Sequence, residues 1–297
     1  MDKRRYTQIG QSYLEENSAN SVSGREPVSA ANYGQPRTTG PQPGRHSKGN
    51  AVAVRDRVGK GGNETWRNYK EIYYLPDREI SLVISSNNRR VHLRKLDLRA
   101  ESLARFEIGR DSSAESNIVE VVSVFDVSGL HYIVLEEMQI SLNHVVQCAL
   151  YPTNSELVAI LVQILDGLVF LAEHNLGHGR LDCHTILANL QGHIKLANQE
   201  YFQEMTQEIG VSNARALHKI ALRLMYKDDP HIKDQRRWQS FHNFVDHAAS
   251  SDSAVKLRKE GVLSSRWTKE SLMALFALAE VNSKRLYREI SEEPGKS

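Results

Sequence analysis

The stretch Gly177–Glu200, GHGRLDCHTILANLQGHIKLANQE, decides how the chain is read. It opens on a polar turn around Arg180 and Asp182 and continues as two β-rich pieces, TILANL and HIKLAN, flanking Gln191-Gly192. Glycine-containing dipeptides of that kind punctuate the chain, so a hairpin is expected there. Immediately upstream, Leu157, Ile160, Leu161, Ile164, Leu165, Leu168 and Leu171 recur at three- and four-residue spacing, which marks one apolar helix face. Asn154 or Ser155 can cap that helix. A long helix thus delivers the chain into a polar loop and then a hairpin, and the meaning of the loop depends on what surrounds it.

Working outward, the runs EIYYL, EISLVIS and RRVHLRKLDL lie between turn residues such as Pro76-Asp77 and Asn87-Asn88. Their Val, Ile, Leu and Tyr content predicts three strands in an antiparallel meander. A helix is expected from Arg99 to Gly109. Two more strands, IVEVVSVFDV and HYIVLEEM, follow across Ser128-Gly129. Beyond Glu200 the pattern is helical, over Asn213 to Tyr226, Trp238 to His247, Ser253 to Glu260 and Thr268 to Glu289. The expected class is α+β, with a five-stranded antiparallel sheet region preceding a mainly helical region, and no internal repeat is visible.

Residues 1–65 are different. They are rich in Ser, Asn, Gly, Gln and Pro, and they lack the apolar periodicity that offsets the entropy of ordering, so a disordered tail is expected. That tail holds ten Lys or Arg against six Asp or Glu, while the whole chain carries a net charge of +2. The rest is therefore slightly acidic. The tail charges are scattered rather than clustered, which argues against nucleic acid as a partner. Asp2, Glu15 and Glu16 interrupt any transit-peptide pattern. The longest apolar stretch, Leu157 to Ala172, contains Gln163 and Asp166 and falls short of the roughly 20 residues of a membrane span, so no membrane partner is expected. The two cysteines, Cys148 and Cys183, define neither a disulfide framework nor zinc spacing. A reducing compartment follows, the cytoplasm first and the nucleus second.

A five-stranded region, a linker at Glu136-Glu137-Met138, a long helix, a polar loop and a hairpin together resemble the protein kinase fold. The family loop H-R-D-L-x-x-x-N, followed by a hairpin and D-F-G, is similar to His178-Gly179-Arg180-Leu181-Asp182-Cys183-His184-Thr185, with Asn198-Gln199-Glu200 at D-F-G. The resemblance covers residues 69–290. It implies a bilobal kinase-like domain over 66–290, with an N-lobe over 66–138 and a C-lobe over 139–290, between the disordered tail and a C-terminal tail over 291–297. SAVKLRKEGVL and the helix after it resemble the PAK-like branch of the serine/threonine kinases.

The resemblance also marks what is missing. In the family an Asp accepts the substrate proton, while an Asn and the Asp of D-F-G hold magnesium against the phosphates. Arg180 stands at the base position and cannot accept a proton. Thr185 stands at the Asn, and Asn198 at the metal-binding Asp, where magnesium wants anionic oxygen. VHLRK is similar to V-A-I-K, which places Arg94 at the ATP-binding lysine, with Lys95 on the opposite strand face. Glu107 is the expected helix partner of Arg94. YYLPDREISLV, at the phosphate-covering loop, has no glycine with which to approach phosphate. No A-P-E follows Glu200. The Arg of H-R-D is Gly179, and the Arg that pairs with A-P-E falls near Ser251. Leu135, Glu136 and Met138 correspond to the gatekeeper and hinge.

The resemblance therefore implies a catalytically inactive kinase-like domain, a pseudokinase that acts as a protein-interaction or regulatory module. Its partner is a protein, with an active kinase as the first choice, and no cofactor is expected. His178 is a packing residue on this reading. The alternative is a divergent ATP-binding serine/threonine kinase in which Arg94 and Asp182 support weak phosphotransfer, Asp182 as a surrogate base, with ATP and magnesium entering only then. A third reading leaves any interaction to the tail.

Overall fold

The computed structural model describes residues 68–75, 79–110, 116–127, 129–227, 237–283 and 288–289. The expected disordered tail over 1–65, the Pro76-Asp77 turn and the tail over 291–297 lie outside these residues.

Five strands, β1 (Tyr69–Leu75), β2 (Ile80–Ser85), β3 (Arg90–Leu96), β4 (Val121–Val127) and β5 (Leu130–Glu136), form an antiparallel sheet in the order β1-β2-β3-β5-β4. Arg288–Glu289 adds a short sixth strand beside β1, where a helix was expected to continue to Glu289. Strand alternation decides what each face carries. On β3, Val91 and Leu93 join Val83 and Val134 in one apolar layer. His92 and Arg94, both buried, point the other way, toward Leu135 and Val119.

The helix expected over Arg99 to Gly109 is broken in two, α1 (Ala100–Ala104) and α2 (Glu107–Arg110). Phe106, fully buried between them, inserts into the layer formed by Val119, Val124, Ile133 and Met138. Gly109 packs so close that a Cβ there would meet the Val119 carbonyl oxygen at 2.9 Å.

The helical region is built around α4 (Asn154–Glu173), which follows the short α3 (Leu142–Gln147). Its cap is Thr153 rather than Asn154 or Ser155. Thr153 Oγ1 accepts the Glu156 N–H at 3.3 Å, and Glu156 Oε2 accepts the Thr153 N–H at 2.6 Å, a reciprocal box that satisfies two otherwise orphaned donors. Instead of one apolar face, every residue from Leu157 to Leu165 is buried. The helix is 20 residues long with a mean hydropathy of 2.0 over its most apolar window, enough by length and composition to cross a membrane, yet 67% of that window is buried inside the fold. Gln163 sits in this apolar surround with all its polar positions used. Its Oε1 accepts from Ile194 N–H and Asn117 Nδ2, and its Nε2 donates to the Ala159 and Gly192 carbonyls.

After α4 come β7 (Leu176–His178), β8 (Ile186–Ala188) and β9 (Ile194–Leu196), with β6 (Ile140–Ser141) pairing β8. β8 and β9 form the expected hairpin, and its Gly192 adopts φ 85°. A bridge between Ile118 and Leu196 ties the hairpin to the residues that lead into β4. The chain then returns through β10 (Phe202–Glu204), which pairs with β7, and enters α5 (Gln207–Tyr226). Thr206 caps α5 by accepting the Ile209 N–H, so the helix starts six residues before the expected Asn213. Its end is anchored by Lys227, whose ammonium donates to the Val145, Cys148 and Leu150 carbonyls at 2.6–2.7 Å. Helices α6 (His242–Ser250), α7 (Ala254–Leu257) and α8 (Met273–Ser283) complete the core, in which Trp238, Phe241, Phe244 and Phe276 are fully buried. Cys148 and Cys183 are both buried thiols.

Candidate functional site

Strands β3 and β5, the 180–187 loop and the turn at Asn198 enclose a cavity of about 390 Å³. It collects Arg94, Leu135, Glu136, Arg180, Asp182, Thr185 and Asn198, seven of the nine residues singled out from sequence. Glu107 and Met138 are not among its lining residues. Met138 is fully buried in the layer around Phe106, and its N–H donates to His92 Nδ1 at 3.5 Å.

Glu107 is not the partner of Arg94. Its half-exposed carboxylate pairs with Arg110 one turn away at 3.5 Å. Arg94 instead meets Glu200, Nη1 to Oε1 at 2.7 Å, with the two side chains 8% and 10% exposed. This links β3 to the turn after β9, where Arg105 also donates to the Glu200 carbonyl. Among the described residues neither Arg94 Nε nor Glu200 Oε2 has a hydrogen-bond partner.

A second buried pair escaped the sequence reading. Lys195 Nζ donates to Glu136 Oε1 at 2.6 Å, and the same oxygen accepts the Glu120 N–H at 2.7 Å. The available signal was a lysine centred in a strand whose three residues are all buried, since such a charge persists only when paired. Both pairs are shielded from water, so removal of one partner leaves the other as an uncompensated charge.

The 178–185 loop closes on itself. Asp182 Oδ1 accepts the N–H groups of His184 at 2.7 Å and Thr185 at 3.0 Å, an Asx-type turn. Thr185 Oγ1 accepts the Asp182 N–H at 3.0 Å and donates back to the Arg180 carbonyl at 3.1 Å. Arg180 is exposed and lies over the Tyr201 ring at 5.3 Å, with Nη1 donating to the phenolic oxygen. Asn198 holds the left-handed conformation, φ 61°, which this residue type tolerates.

His178 underpins the loop. It is fully buried, Nε2 lies 3.0 Å from the Ala197 carbonyl, and Nδ1 accepts the Arg180 N–H. Those contacts assign the neutral tautomer protonated at Nε2. Burial lowers its pKa to about 4, outweighing the opposing effects of the Ala197 carbonyl and Asp182. Gly179 then passes β10 at close range, where its N–H donates to the Tyr201 carbonyl at 2.9 Å. A Cβ on Gly179 would meet that oxygen at 2.8 Å and collide with the Gln203 side chain. An arginine has no room here.

The cavity therefore has apolar walls from Ile80, Val119, Leu187 and Ala197, and its principal charges are already engaged. Arg94 is held by Glu200 and Glu136 by Lys195, while one Asp182 oxygen serves the loop backbone. Among the described residues no group of three or more His, Cys, Asp or Glu converges in a geometry able to hold a metal ion. No family model and no curated protein matches this chain.

Proposed function

We propose that this chain is a pseudokinase, a kinase-like bilobal domain that binds partners and does not transfer phosphate. The observation that carries the reading is the meeting of Arg180, Thr185 and Asn198 on one cavity, with none of the three contributing a carboxylate. Phosphoryl transfer in the resembled family uses a proton acceptor at the first of these positions, a metal-holding Asn at the second and an anionic metal ligand at the third. The cation on β3 also departs from the family arrangement, because Arg94 pairs with Glu200 from the turn after β9 and not with a glutamate of the preceding helix. The partner is a protein, an active kinase being the first choice, and the compartment is the cytoplasm or nucleus.

One observation favours the alternative of a divergent kinase. Asp182 lines the cavity, and only its Oδ1 is committed to the loop backbone, which leaves Oδ2 for a surrogate base or a metal ion.

Thermal-shift titration with ATP, with and without magnesium, separates the two. A ligand at a hundred times its Kd stabilises by about 2.7 kcal/mol, or about 5–10 °C for a domain of this size. The pseudokinase reading expects no magnesium-dependent shift at millimolar ATP and no phosphate transfer to a mixed serine/threonine peptide pool. A magnesium-dependent rise that Asp182→Asn abolishes, accompanied by phosphate transfer to the peptide pool, establishes the alternative.

A further inference from the structure

A larger groove, about 710 Å³, lies on the other side of the 179–183 loop and is floored by α5. It exists because the chain takes a short route. Glu200 is followed by β10, which pairs at once with β7, and Thr206 already caps α5. No described segment crosses this face of the helix. The opposite face is buried through Ala214, Leu217, Ala221 and Leu224, so α5 is held firmly while one side stays open.

The open side is cationic. Arg215, Lys219 and Arg223 follow one another at four-residue spacing, and Arg180 faces them from the loop. Among the described residues neither Arg215 nor Lys219 has an acidic partner within ion-pair distance. Like charges spaced four residues apart on a helix repel, at about 0.2–0.5 kcal/mol each. An anionic occupant converts that repulsion into attraction. Two acidic residues share the lining, Asp182, whose Oδ1 accepts two loop N–H groups, and Glu208, in the first turn of the helix, against the four cations Arg180, Arg215, Lys219 and Arg223. Between the charges the floor is apolar, with Leu181 and Ile220 buried and Val211 half-buried.

We infer that this groove docks an acidic segment of a partner protein, with carboxylates over Arg215 and Lys219 and apolar side chains against Val211 and Ile220. Concavity and an apolar floor select a peptide over a nucleic-acid backbone, which is read by exposed cations and stacking platforms. No aromatic ring is among the described lining residues of the groove. This deepens the interaction-module reading and rests on it for the nature of the partner. It does not depend on whether the cavity behind the loop takes a nucleotide.

The test is fluorescence anisotropy of a labelled Glu-Glu-Leu-Glu repeat peptide against the full chain. The same peptide with lysine for glutamate and an oligothymidine of matched charge serve as comparisons. The acidic peptide is expected to bind at low salt, to weaken as ionic strength rises toward about 0.5 M, and to lose at least about tenfold in affinity with R215E/K219E, or 1.4 kcal/mol. Both substitutions are on exposed helix positions, and an unchanged melting temperature verifies the fold. Lys259→Glu, exposed and outside the groove, is expected to bind as the parent does. Absence of peptide binding, binding that survives R215E/K219E, or stronger binding of the oligothymidine overturns the proposal. Failure here leaves the ATP result untouched, and a magnesium-dependent ATP shift leaves the groove untouched, so the two readings fall separately.

Discussion

Replacing Arg94 by Met tests how the candidate cavity is held shut. The substitution keeps most of the aliphatic volume and removes the charge that meets Glu200 at 2.7 Å. One Glu200 oxygen loses its partner, and the other, Oε2, has none to begin with. Each unsatisfied buried acceptor costs about 1–3 kcal/mol, more when charged, so the single change is expected to destabilise by about 3–5 kcal/mol, the range for breaking a buried pair. Set against a typical total of about 5–15 kcal/mol, that is a large fraction. With a urea m-value near 3 kcal/mol/M for a domain of this size, the unfolding midpoint should fall by about 1–1.7 M. The double variant R94M/E200L removes both charges and should return to within about 1 kcal/mol of the parent, because desolvated pairs are replaceable by apolar groups of similar volume. A single variant that loses less than about 1 kcal/mol, or a double variant as weak as the single, refutes the reasoning.

Two further outcomes follow from the loop. His178 is held neutral with its pKa lowered to about 4, below the 6.5 of an unfolded chain. Its contribution is therefore fully present above about pH 6.5 and lost as pH falls toward 4, where the unfolded state binds the proton first. The difference amounts to about 3 kcal/mol. Urea midpoints of the parent and His178→Gln, measured across that interval, should converge as pH drops, and parallel lines contradict the assignment. Gly179→Ala places a Cβ against the Tyr201 carbonyl at 2.8 Å, so an overpacking loss of about 1–3 kcal/mol is expected. An unchanged melting temperature shows that β10 yields without cost.

The parts of the fold legible in sequence were those with a strong local period. EISLVIS, RRVHLRKLDL, IVEVVSVFDV and HYIVLEEM mark β2 to β5, overrunning most of them at the ends, because alternation and β-branching both act locally. The hairpin at Gln191-Gly192 is legible for the same reason, its turn requiring the positive φ of Gly192. Helix α4 was found, yet its burial was misjudged. Val158, Ala159 and Val162 are as buried as the leucines, and neighbours on every side decide that, not spacing. The break between α1 and α2 depends on where Phe106 inserts, and β10 depends on β7 lying beside it. At the site, Arg180, Thr185 and Asn198 were singled out from a motif resemblance, and the structure brings the three onto one cavity. The ion pairs were not legible. Glu200 lies 106 positions from Arg94, and Lys195 lies 59 from Glu136, distances over which one sequence carries no pairing signal.

The two thiols make the molecule its own stopwatch. Cys148 follows α3 in the helical core and is 2% exposed, and Cys183 lies in the 179–185 loop at 1%. Neither can react with an alkylating reagent until its surroundings part. Cys148 reports the opening of a large packed body, whereas Cys183 reports a loop held by a handful of backbone bonds, and such units open with different free energies. Alkylation followed by peptide mapping thus clocks the two regions independently in the native protein, without an engineered label. A ligand in the cavity or a peptide in the groove would slow the second clock and leave the first running.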